Sequence, residues 1–166
     1  MTRIATHSKI VQFHKEIAEA HKGINGFYRF DITELTGNLR KGIQTPVLML
    51  ESHSTDLAEN SNKTVTFANR RVSFLLLSFA GKVDNYDLRE QVLEDLENVA
   101  LDIVAFLKKC RNDKEHWLYG MIDIDTVQVE KVGPLLDNMF GWNVIYTLKN
   151  HEPMCYDETK WEWPTP

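Results

Sequence analysis

The chain has 166 residues, enough for one domain with a substantial core and too few to supply two. Apolar residues make up 43% and charged residues 26%, a globular balance that excludes a disordered chain. The formal net charge of −5 excludes a bulk electrostatic drive toward nucleic acid or an anionic membrane, and the basic dipeptides Arg40-Lys41 and Arg70-Arg71 read as solvated loop charge.

The opening residues, MTRIATHSKIVQFHK, hold no continuous apolar stretch, so no secretory signal is expected there. Ile10, Phe13, Ile17 and Ala20 follow one another at helical steps and predict a helix over residues 8–22. Gly23 stands where a left-handed C′ residue is wanted. His7, His14 and His21 share one face of that helix, but about 10 Å of rise between neighbours keeps them from holding one metal. They read as surface residues bordering the stripe. After a glycine-rich turn, the alternation over residues 28–33 predicts a strand with one buried face.

Residues 36–42 form a polar, glycine-bearing loop, and Pro46 then leads into Val47-Leu48-Met49-Leu50. The unbroken apolar character of that strand predicts burial on both faces. Residues 52–63, SHSTDLAENSNK, read as a loop because they carry almost no large apolar side chain. Val65 and Phe67 begin an alternation, and residues 71–79, RVSFLLLSF, predict a central strand. Its apolar run is far too short to span a bilayer.

The long helix is expected to open at Asp87, with Glu90 three residues later completing a capping box. Leu88, Val92, Leu96, Val99, Ile103 and Leu107 make its main stripe. Leu93, Ala100, Val104 and Phe106 widen the apolar face. About 24 residues give roughly 36 Å of helix, the width of a small domain, so it is expected to lie diagonally across a sheet. In residues 121–132, MIDIDTVQVEKV, the step from Ile124 to Val127 breaks the period of two and predicts a bulge near Asp125-Thr126. Gly133-Pro134 punctuates, and residues 142–148 alternate as a partner strand. The expected architecture is α+β over residues 1–149: a single mixed or antiparallel sheet with a short N-terminal helix and one long amphipathic helix on one face. Residues 150–166 are expected to form an extended tail carrying Tyr156, Trp161 and Trp163 without helical or strand period.

Cys110 and Cys155 read as free thiols of a reducing compartment. His151 and Cys155 are four apart, but Pro153 lies between them and two ligands do not make a zinc site. Asp123, Asp125 and Glu130 have the composition of a magnesium-dependent nuclease strand, and equally of the solvent face of an amphipathic strand. No phosphate-binding glycine loop, zinc-protease helix or nucleophile elbow occurs. No enzymatic activity, cofactor or metal is therefore expected. The candidate interaction residues are Tyr156, Trp161 and Trp163 in the tail and Arg40 and Lys41 in the loop.

The element order over residues 7–149, with its proline-led strand TPVLMLE, strand RVSFLLLSF and long helix, resembles the tail terminator (tail-completion) proteins of long-tailed bacteriophages. The closing stretch VEKVGPLLDNMFGWNVIYTLKNHEPMCYDETKW is similar to small structural proteins of Bacteroidetes phages and prophages. The resemblance implies a non-enzymatic virion protein, made in the host cytoplasm, that forms a homo-oligomer, a hexameric ring. Such a ring would cap the tail tube and meet neck or connector proteins, with DNA only as passing cargo and no membrane partner. A head–tail joining adaptor of the same neck is the alternative with the same composition. A small metal-dependent nuclease is the enzyme-class rival, and a regulatory binding module is the third reading.

Overall fold

The computed structural model describes residues 3–30, 43–81, 85–136 and 138–163. Helix α1 (His7–Ala20) starts at Thr6, whose hydroxyl accepts a hydrogen bond from the Lys9 N–H at 3.3 Å. Ile10, Phe13 and Ile17 are buried as their spacing requires. The helix ends on His21 in an extended conformation, and Gly23 is not left-handed. Close approach, rather than a C′ turn, is what Gly23 provides: a Cβ there would lie 2.9 Å from Val99 Cγ2.

Strand β1 (Gly26–Phe30) runs parallel to β2 (Val47–Glu51), and β2 runs antiparallel to β4 (Thr66–Phe79). Residues 52–63 were expected as a loop, but β3 (Ser54–Glu59) pairs with the first half of β4 in an antiparallel hairpin. All six residues of β3 are exposed, so burial leaves no alternation in the sequence to mark the strand. Its turn is built by Asn60, whose side-chain oxygen accepts from the Thr64 and Val65 N–H groups at 2.7 and 3.1 Å.

Helix α2 (Tyr86–Asn112) is capped by Asn85, whose side chain accepts from the Leu88 N–H at 3.2 Å, and not by Asp87. Asp87 instead lies within the first turn, where a carboxylate suits the positive end of the helix dipole. Strands β5 (Ile122–Leu135) and β6 (Met139–His151) complete the sheet as an antiparallel pair. The pairing shifts between Asp123 and Gln128, at the expected bulge, and again between Val132 and Leu135. Among the described residues the sheet holds six strands in the order β1-β2-β4-β6-β5, with β3 beside β4. The fold is α+β with one mixed sheet.

Both helices pack on one face. Leu96, Ala100, Ile103 and Leu107 of α2 and Ile10, Phe13 and Ile17 of α1 share a core with Leu48, Phe74, Leu76, Val144 and Leu148. Leu88 and Phe106, expected in the apolar face of α2, are exposed. A second cluster on the other sheet face joins Phe30, Val47, Met49, Leu75, Leu77 and Met139. Burial on both faces explains why β2 and the end of β4 read as continuous apolar runs. Residues 31–42, where the loop with Arg40 and Lys41 was expected, lie outside the described residues.

Candidate functional site

The candidate site is the C-terminal segment, from the point where it leaves the sheet. Strand β6 takes up Asn150 and His151, and the Glu152 N–H then donates to the Thr66 carbonyl at 2.9 Å. Glu152 is buried, and its carboxylate bonds Arg70 Nη2 at 2.6 Å and Arg3 Nε at 2.9 Å. Arg70 is buried too and also donates to Asn150 Oδ1. Burial alone would push the Glu152 carboxyl up, but the hydrogen bonds and charges of Arg70, Asn150 and Arg3 hold it below the usual carboxylate range. Two buried, charge-assisted contacts thus fix the root of the tail.

Arg70 was expected to be solvated loop charge; the structure places it inside β4, on the helix-facing side with Val72 and Phe74. Extending the alternation of RVSFLLLSF back by two positions from Val72 is the signal that would have found it.

Beyond the root, Tyr156, Trp161 and Trp163 remain 66%, 52% and 68% exposed. They pack against one another instead. Tyr156 stacks on Trp161 at 5.9 Å between ring centres, and Trp161 lies parallel to Trp163 at 5.4 Å with only 3° between the planes. The Trp163 indole N–H points to the Tyr156 hydroxyl at 3.4 Å. A single 3-10 turn, Glu158–Lys160, brings them together, with the Asp157 carboxylate accepting from the Thr159 N–H at 3.2 Å and pairing with Lys160 at 3.3 Å. Glu158 and Glu162 are exposed. The result is a short row of aromatic faces edged by two carboxylates on a fixed root.

The other candidates do not assemble into a site. Asp123 is used locally, its carboxylate accepting from the Asp125 N–H at 3.3 Å, and Glu130 lies further along β5 opposite Asn143. Among the described residues no three His, Cys, Asp or Glu side chains form a group able to hold a metal. His151 is exposed and meets Phe67 edge-on, while Cys110 and Cys155 are both free thiols. The three N-terminal histidines part company. His7 meets His53 in a tilted ring contact at 5.3 Å and accepts from Arg29 at 3.0 Å, and His21 pairs with Asp102 at 3.5 Å. His14 is not on the surface but fully buried between α1 and the sheet, bonded to Tyr146. Among the described residues no helix is long and apolar enough to cross a membrane.

No protein-family model matches the chain, and no curated protein matches it.

Proposed function

We propose that the chain is a structural subunit of a phage virion that acts by binding copies of itself, a ring-forming tail terminator at the head–tail junction without enzymatic activity. The observation that carries this reading is the aromatic row of Tyr156, Trp161 and Trp163, held in water beyond a root fixed by Arg70 and Glu152. Large exposed aromatics on a soluble domain mark contact surfaces, because leaving them hydrated forgoes several kcal/mol of burial. Tyrosine and tryptophan are also the side chains that most often dominate such contacts. Support comes as well from the architecture, since an α+β domain with both helices on one sheet face is what the tail-terminator resemblance implies. The net charge of −5 suits a channel through which DNA passes without adhering.

Mass measurement of the purified protein by light scattering, followed by negative-stain imaging, tests this reading. The expected result is a closed ring with the mass of six subunits. A monomer at every concentration overturns it and favours the regulatory binding module. Labelling the protein within intact particles separates a terminator from a neighbouring neck adaptor.

A further inference from the structure

We infer that the acidic, tryptophan-bearing tail of one copy seats in a basic cleft of the next copy, between the start of α1 and the β3–β4 hairpin. This contact rests on the self-association reading and names the surfaces that would make it. The cleft has a volume of about 350 Å³, at the small end of the range for sites that bury a ligand-sized group. Arg3, His7, His53, Leu57, Arg70 and Met154 line it. Arg29 adds its charge through His7. Against Arg3, Arg29 and Arg70, the lining holds one carboxylate, Glu152, which is already shared by Arg3 and Arg70. Leu57 and Met154 leave apolar surface exposed at the same place.

The tail has the complementary chemistry. Glu158 precedes Trp161 and Glu162 lies between Trp161 and Trp163, and the one cation between the two glutamates, Lys160, is occupied by Asp157. An indole against Leu57 and Met154, with a guanidinium over its face and a carboxylate beside it, satisfies both surfaces. The apolar groove between α1 and α2 is the competing seat, since Phe13, Ile17 and Phe106 line it. Its rim carries Glu16, which would repel the tail's carboxylates, and Asp102, which is paired with His21.

The 11 steps from Glu152 to Trp163 span at most about 36 Å when fully extended. The turn at Glu158–Lys160 shortens that, so the cleft of the next copy must lie close to the tail's root. A tail from one copy entering a cleft on the next, when not exchanged reciprocally, is a head-to-tail contact, which forms a ring where the rotation between copies closes.

The test uses the 166-residue chain and four variants, followed by sedimentation analysis over a range of concentrations. Glu158→Lys with Glu162→Lys should weaken self-association roughly tenfold or more while leaving the melting temperature unchanged, since both side chains are exposed. Arg29→Glu with His53→Glu should weaken it similarly, and all four changes in one chain should restore it. Trp161→Ser with Trp163→Ser should abolish association; it needs no change in the cleft and so still decides the matter if the cleft variant misfolds. Rings that persist in the tail variants overturn this contact but leave the self-association reading standing. A wild-type protein that never associates removes both.

Discussion

His14 lies in the core with both ring nitrogens engaged, Nδ1 with the Ile10 carbonyl at 2.7 Å and Nε2 with the Tyr146 hydroxyl at 3.0 Å. A carbonyl can only accept, so Nδ1 carries the proton and Nε2 accepts from the Tyr146 O–H. Burial lowers the His14 pKa from 6.5 to about 4, with the Ile10 bond opposing only part of that, and burial pushes the Tyr146 hydroxyl up. The folded protein therefore keeps His14 neutral where the unfolded chain protonates it. Between pH 6.5 and about 4 the unfolded state binds more protons, so this contribution is complete above that window and is lost as pH falls through it. The loss is on the order of 3 kcal/mol. Urea denaturation at several pH values should show it, and His14→Phe should flatten the slope. His53 is also lowered, chiefly by burial, and acts in the same direction, so the variant isolates the share of His14. In His14→Phe the Tyr146 hydroxyl is left unpaired, at about 1–3 kcal/mol, and adding Tyr146→Phe should recover part of that. An unchanged slope in His14→Phe would assign the pH dependence to other groups.

At the scale of elements, α2 and the central strands carry the stability. Leu96→Ala should cost about 2–5 kcal/mol in chemical denaturation, because Leu96 is fully buried against the sheet. Leu101→Ala, on the exposed side of the same helix, should change stability by less than about 0.5 kcal/mol. Gly141 holds β6 against β4 so closely that an added Cβ would overlap the Leu76 carbonyl oxygen. Gly141→Ala should therefore destabilise by about 3 kcal/mol or more. The buried stripe of α2 was legible in the sequence because burial imposes a period on apolar residues, as in Leu96, Val99 and Ile103, whereas the close approach at Gly141 leaves no periodic signal. β3 was not legible, since an exposed strand needs only backbone pairing and places no demand on its side chains. A broad-specificity protease is accordingly expected to cut at the turn of residues 60–64 before β3 itself, and earlier cutting within β3 would mean that its pairing to β4 opens readily. The same logic covers Arg70 and His14: composition marks them as polar, and only the parity of a strand or the far side of a helix puts them inside. The tail aromatics stood out by composition, whereas their stacking on one another depends on a turn with no apolar signature.

For the whole molecule, the question is where the domain ends and the contact surface begins. The expected boundary at residue 149 falls short, because β6 continues to His151 and Glu152 is buried between Arg70 and Arg3. Removing that carboxylate leaves the buried Arg70 guanidinium with Asn150 as its remaining side-chain partner. Glu152→Ala should therefore cost about 3–5 kcal/mol, the usual penalty for breaking a buried pair from one side. Deleting residues 157–166 should behave in the opposite way. Trp161 and Trp163 touch each other and Tyr156 rather than the core, so their loss removes little surface that folding buries. The truncated chain is expected to keep its melting temperature and lose self-association. Comparing the two variants by thermal unfolding and light scattering places the boundary between Glu152 and Asp157. A truncated chain that melts much lower would show that the aromatic row supports its own domain, and the reading of the tail as a contact surface would fall.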